Sequence, residues 1–452
     1  MKIPTEAQKL IEVLEDATFE AWVVGGYVRD AVIDVVKSPI LQDKGDIDIA
    51  CSAPFEDTER ACTEAGFTVH RTGVEHGTVT VVVDGKSFEV TTFRIDGSYS
   101  DGRHPDSVTF VDSIELDLAR RDFTMNAIAW HPQRGLLDPY GGIADIRAGL
   151  IRCVGKPEKR LAEDALRILR GVRFASQLGF SIENSTRRHM EHLKWRLALL
   201  PVERVRKELD LMLLGSHIQD ALMKYSSIIF AALPELAACK DFDQHTHYHC
   251  FDVLDHTAWV VYYTPPTLTG RWAALCHDIG KPAAFTMRNG EGHFRGHAVM
   301  SASIARSLME RLKMPHDLRE DVCTLVRLHD IHEDISESNV KRMLRRCDGN
   351  VALYRTLLDL QRADGLAHAP GHCERADEAL RRKAVLDRII KEGQAFRLCD
   401  LAVNGDDILK LGEAPSPRVG IVLDALLDEV IDGVLTNERE ALLTEARALL
   451  AH

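Results

Sequence analysis

Apolar and polar positions alternate with two different periods along this chain, and the change of period divides it. Up to about residue 150, short runs with a two-residue period or a continuous apolar stretch (FEAWVVGG, DIDIAC, TVTVVVDG and SFEVTTFR) predict strands. Residues 6–16 and 27–37 carry helical periodicity between them. From about 155 onward the pattern is helix after helix, broken at LPVE (200–203), ALPEL (232–236) and TPPTLTG (264–270). A mixed α/β head followed by an all-α remainder is therefore expected. RIDGSYSDGRHPDSV, residues 94–108, has no period and is rich in Gly, Ser, Asp and Pro, which predicts a mobile loop.

A chain of 452 residues is too long for one core. Its 45% hydrophobic and 28% charged content are those of a soluble globular protein. The polar start MKIPTEAQKL, with no apolar run near ~20 residues, predicts a cytoplasmic protein with no membrane association. The ten cysteines form no CxxC pair and are expected to be reduced. A net charge of −13 argues against indiscriminate nucleic-acid binding. Between Lys156 and Asp210, however, thirteen Lys/Arg meet eight Asp/Glu, a local +5. Such a zone suits either a phosphate backbone or a solvated helix face.

VVGGYVRD (23–30) predicts a strand that ends at Gly25-Gly26 and passes into a helix. Glycines there let a ligand approach the backbone, the helix N-terminus offers N–H donors to phosphate, and Arg29 adds charge. About 20 residues on, DID places Asp46 and Asp48 on one face of a strand, where each carboxylate needs a cation. A phosphate-binding turn and a Mg²⁺-binding acidic pair are the two halves of a nucleoside-triphosphate site, and two ions would serve the attacking hydroxyl and the leaving pyrophosphate. Glu89 is either a third carboxylate or a surface strand residue. Arg120, Arg121 and Asp122 in LARRDFTMNAIAW belong either to a ribose- and phosphate-binding group or to an ion-paired helix start. In EDALRILRGVRFA, Asp164 and Arg167 at i and i+3 are expected on one helix face, with Arg170 and Arg173 continuing the step. That pair is either a helical salt bridge or a base reader. An Asp accepts from an exocyclic amine and an Arg donates to a ring nitrogen, which admits cytosine and adenine and rejects uracil and guanine.

GGYVRD with DID, RRDFTMNA, LLDPYGGIADI (136–146) and EDALRILRGVRF, in this order, resemble the class II tRNA nucleotidyltransferases, the bacterial CCA-adding enzymes and their poly(A) polymerase relatives. The similarity extends through PELAACKDFDQHTHYHCFDVLDHT to the end of the chain. It implies an α+β protein: a polymerase-β-like nucleotidyltransferase head at 1–150, a helical, nucleotide-selecting neck at 151–240, a histidine-aspartate (HD) helical domain at 241–372 and a tRNA-gripping tail at 373–452. It implies that CMP, CMP and AMP are added to the 3′ end of tRNA from CTP and ATP. Gly26, Arg29, Arg121, Asp164, Arg167, Arg170 and Arg173 would bind the nucleotide, Asp46 and Asp48 would hold Mg²⁺, and the 94–108 loop would serve the switch from C to A addition. The relatives that make poly(A) or add CC alone are the alternatives, and the acidic chain end favours CCA addition over poly(A). PSP at 415–417 departs from an expected Pro-Gly-Pro turn.

Twelve of the twenty histidines fall between 245 and 372. His256, His277-Asp278, His297, His329 and Asp364 on successive helices resemble the metal-dependent HD phosphohydrolases, and this N/O ligand set suits Mn, Fe, Ni or Mg. An HD phosphohydrolase acting on RNA ends or nucleotides is the alternative from another class. His245, His247 and His249 carry no assignment.

Overall fold

The computed structural model describes residues 1–37, 46–97, 108–246, 250–331, 334–369, 371 and 373–451. Two compact units divide the chain, Met1–Ala232 and Leu233–His452.

The first unit is built on a seven-stranded mixed sheet. In chain order its first elements are α1 (Thr5–Asp16), β1 (Ala21–Val24), α2 (Gly26–Lys37), β2 (Asp48–Cys51), α3 (Phe55–Glu64), β3 (Thr68–Gly73), β4 (Thr78–Val83) and β5 (Lys86–Thr92). A two-stranded ribbon, β6 (Arg94–Asp96) with β7 (Val108–Phe110), and α4 (Ile114–Ala119) follow, then β8 (Ala129–His131), β9 (Gly135–Leu137) and α5 (Gly142–Ala148). The sheet order is β3-β4-β5-β2-β1-β8-β9. Strand β4 alternates buried and half-buried residues, as TVTVVV requires. It joins β5 through Asp84-Gly85, both at positive φ (48° and 82°), the two-residue hairpin turn whose twist matches the strands. Helix α1 packs Ala7, Leu10, Ile11 and Leu14 inward at helical spacing. Trp22, Val24 and Ala50 from the sheet and Phe93, just after β5, meet Ile114 and Leu118 of α4 in one core.

The segment expected to be a loop at 94–108 is partly strand: Arg94 pairs with Phe110 and Asp96 with Val108. Residues 98–107 of it lie outside the described residues. A short parallel pair, β10 (Leu150–Ile151) with β11 (Ser181–Ile182), accompanies the helices α6 (Pro157–Glu163), α7 (Leu166–Leu178), α8 (Asn184–Leu193), α9 (Val202–Leu213), α10 (Ile218–Lys224) and α11 (Ser226–Ala232).

Among the described residues the second unit is helical apart from one hairpin, β12 (Thr286–Arg288) with β13 (Glu291–His293). Its helices are α12 (Val253–Tyr263), α13 (Leu268–Cys276), α14 (Lys281–Ala284), α15 (His297–Arg311), α16 (His316–Leu328), α17 (Glu337–Arg346), α18 (Val351–Leu366), α19 (Glu374–Glu392), α20 (Gly405–Leu409), α21 (Pro417–Ile431) and α22 (Arg439–Ala451). Trp272 and Tyr354 are fully buried among them. The last three helices share their own core of Ile408, Val422, Leu426, Ile431 and Leu442. Where Pro-Gly-Pro was expected, Ser416 accepts a hydrogen bond from the Arg418 N–H (3.3 Å) and Pro417 begins α21, so the serine caps the helix. Among the described residues no helix is long and apolar enough to cross a membrane.

Candidate functional site

Strand β1 ends at Val24, which pairs with Asp48, the first residue of β2. The chain then turns at Gly25 (φ +75°) into α2. A Cβ on Gly25 would stand 3.3 Å from both Asp48 Oδ2 and Arg121 Nη1, so the glycine turn, the carboxylate and the arginine share one corner. On the other side of Asp48, parallel pairing brings Glu89 of β5 into register. Burial raises the Asp48 carboxyl pKa to about 6; Arg121 opposes the rise, and Glu89 and Asp46 add to it. Asp46 is exposed and precedes β2, so the expectation that both aspartates lie within one strand is corrected: the strand begins at the second.

Asp48 opens onto a cleft of about 570 Å³ within the first unit. Its walls carry seven arginines (29, 120, 121, 167, 170, 173 and 204) and three aspartates (48, 122 and 164). That excess of four positive charges matches a nucleoside triphosphate in sign and size. Gly26 lines it as well, whereas Asp46 is absent from its walls.

A chain of hydrogen bonds fixes the floor. Arg29 Nη1 donates to Asn126 Oδ1 (3.0 Å), Asn126 Nδ2 to Asp122 Oδ1 (2.9 Å), and Arg170 Nε to Asp122 Oδ2 (2.8 Å). Burial opposes ionisation of Asp122, yet Arg170 and the Asn126 bond outweigh it and hold the carboxyl well below the usual range. The Arg29, Arg170 and Arg173 guanidiniums lie 5.0, 5.6 and 4.1 Å from the centre of the Phe174 ring. Burial lowers the Arg173 pKa to about 10, against the pull of Glu208. Arg120 and Arg121 follow the C-terminal end of α4 rather than starting a helix, and both pair with buried Asp117 (2.9 and 3.3 Å).

The Asp164–Arg167 pair takes a different form from the one expected. Asp164 lies outside both helices, with φ −138° and ψ 107°, between α6 and α7. Its Oδ1 accepts from the Leu166 N–H (3.0 Å), a local turn that precedes the helix. Its Oδ2 accepts from Arg204 Nη2 of α9 (3.0 Å). Arg167 is anchored elsewhere: Nη1 donates to the Arg160 carbonyl (2.8 Å) and Glu163 (2.8 Å), and Nη2 to the Arg120 carbonyl (3.1 Å). Both residues still line the cleft. Asn126, Phe174 and Arg204 escaped the sequence reading. Asn126 was legible inside RRDFTMNA, but Arg204 is 40 residues from its partner and gives no local signal.

Comparison with known proteins accords with this geometry. Residues 21–152 match the family described as Poly A polymerase head domain, 179–240 match "Probable RNA and SrmB- binding site of polymerase A", and 297–446 match tRNA nucleotidyltransferase domain 2. The CCA-adding enzyme of Leuconostoc mesenteroides is 32% identical over 97% of this chain and 94% of its own length. That of Geobacillus stearothermophilus is 35% identical over 97% of this chain and 96% of its own. The chain belongs to the CCA-adding enzyme family. The Bacillus stearothermophilus CCA-adding enzyme in complex with CTP has a TM-score of 0.76 to it at 30% identity, over 100% of this chain and 98% of that one. The Thermotoga maritima CCA-adding enzyme complexed with tRNA(CCA) shares the fold, with a TM-score of 0.58 at 18% identity over 99% and 96% of the two chains. As in the family, an α+β nucleotidyltransferase head precedes a helical C-terminal region.

The second unit of this CCA-adding enzyme homologue holds the histidine series. His256 (α12), His277-Asp278 (after α13), His297 (α15), His329 (after α16) and Asp364 (α18) converge, all buried. His256 Nε2 lies 3.0 Å from Asp364 Oδ1, His277 Nε2 3.1 Å from Asp278 Oδ2, and His297 Nε2 3.3 Å from Asp278 Oδ1. Two ligand trios share Asp278: with His256 and His277, and with His297 and His329. Lys281 Nζ sits 2.7 Å from Asp278 Oδ2, within ion-pair range but out of hydrogen-bond alignment, because both Asp278 oxygens and His277 Nε2 lack an aligned partner. Burial disfavours a charged His277, yet Asp278 raises its pKa, and His297 is raised in the same way. Lys281 and His368, both buried here, were not singled out in the sequence; His368 stands four residues after Asp364 and 3.6 Å from it. His245 stands against Phe285, and His247 and His249 lie outside the described residues.

Proposed function

We propose that this protein adds CMP, CMP and AMP in turn to the 3′ end of tRNA, consuming CTP and ATP and releasing pyrophosphate. The observation that carries the reading is the corner where Asp48, Arg121 and the Gly25 turn meet at the mouth of a cleft with seven arginines. The divalent ion of this enzyme class, taken here as Mg²⁺, fits that corner: three carboxylates crowd it and burial has lifted the pKa of one. Asp46 and Asp48 would hold it, with Glu89 beside Asp48, and together with a second ion it would serve the attacking tRNA 3′-hydroxyl and the leaving pyrophosphate.

The protein groups do the rest. The glycine turn admits the triphosphate against the start of α2, and Arg29, Arg121, Arg170 and Arg173 neutralise its oxygens. Arg170 and Arg29 are held rigid through Asp122 and Asn126, so their orientation precedes binding. Asp164 and Arg167 face the base and prefer an amine beside a bare ring nitrogen. The neck (151–240) would share in nucleotide selection and RNA binding, and the tail (373–452) would grip the tRNA. Location in the cytoplasm accords with this role.

A tRNA lacking CCA, incubated with all four triphosphates, tests the reading by sequencing of its product ends. Ends restored to CCA, and lost on Asp48→Ala, support it; full incorporation by Asp48→Ala, or poly(A) ends, would sink it.

The region at 241–372 is read as an HD domain. A divalent metal (Mn, Ni, Fe or Mg) is assigned to His256, His277, Asp278, His297, His329 and Asp364. Buried carboxylate oxygens and an imidazole nitrogen without aligned hydrogen bonds are what such an ion would satisfy. It would supply a polarised water for phosphoester hydrolysis as a second activity.

A further inference from the structure

We propose that Arg295 and Arg375 form a phosphate-binding subsite beside the histidine cluster, for a phosphate ester no larger than one nucleotide. The inference rests on the reading of that cluster as a metal-dependent phosphoester site.

A pocket of about 300 Å³ opens over the cluster, and Arg295 and Arg375 line it together with Asp278, His297, His329 and Asp364. That volume is at the low end for small-molecule sites and holds a single nucleotide rather than a folded RNA. Asp278 and Asp364 face imidazoles and Lys281, not these arginines: Asp278 lies within 3.3 Å of His277, His297 and Lys281, and Asp364 lies 3.0 Å from His256. Lys281 also donates to Gln244 Oε1 (2.8 Å), so it is held in place. The two arginines differ from it. Among the described residues neither makes an ion pair or a hydrogen bond through its guanidinium. Arg306, Arg311, Arg355 and Arg439 of the same unit each meet a carboxylate. In a chain with 69 acidic residues against 56 Lys and Arg, two exposed, unpaired guanidiniums on one pocket point to an anionic ligand.

Close backbone approaches put the arginines there. Gly365 follows Asp364 in α18, and a Cβ on it would stand 2.6 Å from the Ala376 N and 3.1 Å from the Arg375 Cβ. Glycine thus lets the start of α19 lie against the end of α18 that carries Asp364. Gly292 of β13 lies as near to Gln244, where a Cβ would be 2.3 Å from the carbonyl oxygen, and three residues on the chain reaches Arg295. Two forked guanidiniums from separate elements can share the oxygens of one phosphate. Phe294 adds an aromatic wall for the organic part of the ester. The three Asp and three Lys/Arg of the lining balance, so a divalent ion on the carboxylates turns the pocket positive.

Arg295→Gln, Arg375→Gln and the double variant remove these charges at exposed positions. Circular dichroism and elemental analysis compare their fold and metal content with wild type. Binding is read by equilibrium dialysis of the full chain, loaded with Mn²⁺, against radiolabelled inorganic phosphate. Phosphate held in the arginine-lined cleft of the first unit is common to all forms, so differences between them belong to this pocket. Wild type should bind one equivalent more than the double variant, and each single variant should bind that equivalent roughly tenfold more weakly, the scale of one charged hydrogen bond. Equal binding by wild type and the double variant would overturn the proposal, and so would a loss that only follows loss of metal. If the double variant is unfolded, the single ones decide. Hydrolysis of p-nitrophenyl phosphate by the Mn²⁺-loaded wild type separates the two levels. Its absence sinks the hydrolase reading alone, whereas hydrolysis with phosphate binding unchanged in the variants sinks this inference alone.

Discussion

Asp48 and Glu89 occupy registered positions on adjacent parallel strands, two carboxylates side by side, the first of which opens onto the cleft. Like charges placed so are destabilising by roughly 0.2–1 kcal/mol. The folded Asp48 holds its proton up to about pH 6, above its ordinary 3.8, so its ionisation costs stability as pH rises from about 4 to 6 and the full cost persists above. Glu89→Gln, with divalent ions chelated, should therefore be more stable than wild type at pH 7 by ~0.5 kcal/mol. The two should converge below pH 4. Urea titrations at the two pH values check this. The same variant should need more Mg²⁺ for half-maximal incorporation.

Asp122 is the opposite case. Its folded pKa is depressed, so its stabilising contribution is complete above about pH 4 and is lost as pH falls through the folded value. Asp122→Asn leaves Arg170 with only its longer contact to Glu208 (3.9 Å) and should cost about 2 kcal/mol at neutral pH, below the range for a fully buried pair because the arginine is a third exposed. The gap from wild type should narrow at pH 3. Incorporation should fall as well, because Arg170 and, through Asn126, Arg29 lose their fixed positions.

Gly25→Ala tests the corner itself. The positive φ costs an L-residue about 1–2 kcal/mol, and the added methyl forces Asp48 and Arg121 to give way by a few tenths of an ångström. Incorporation should drop roughly ten- to hundredfold with the circular dichroism spectrum unchanged. Wild-type activity in this variant would show that the turn does not set the Asp48 position.

For the histidine cluster, the raised pKa values of His277 and His297 mean that their charged forms stabilise the metal-free protein. That contribution is complete below about pH 6.5 and disappears as pH rises through the raised values. The chelated protein should thus lose thermal stability on going from pH 6 to 8, and Mn²⁺ or Ni²⁺ should restore it, more so at the higher pH. Asp278→Asn should abolish metal uptake, read by elemental analysis of the purified protein, while tRNA end addition continues. Metal retained by that variant at wild-type stoichiometry would remove Asp278 as a ligand.

Much of this site was legible because strand alternation and motif order are local signals. TVTVVVDG announced β4 and its hairpin turn, and GGYVRD announced the strand, the turn and the helix after it. Reading failed where a single residue's backbone departs from a running period. Leu166, Leu169 and Val172 continue a helical repeat whose spacing takes in Asp164, yet the chain is extended there, and the carboxylate turns back to the Leu166 N–H. Asp46 and Asp48 look equivalent in DID, but the strand begins only at Asp48. Long-range partners leave no mark in a single sequence: Arg204 with Asp164 and Lys281 with Gln244 were set by tertiary packing, and so was the register that brings Glu89, weighed as a third carboxylate, beside Asp48. The histidine series was visible as a set of residue types, whereas its sharing of Asp278 between two trios is a matter of helix placement.

Arg160 and Arg167 reach across to the carbonyls of Ala119 and Arg120 at the end of α4. A carbonyl acceptor belongs to the backbone, so no replacement at 119 or 120 that keeps the fold deletes it. The seam joining the acidic edge to the arginine-lined wall is thus vulnerable from one side alone. Loosened variants, whether found by drift or by selection for broader nucleotide use, should collect at 160 and 167 and spare the residues they clasp.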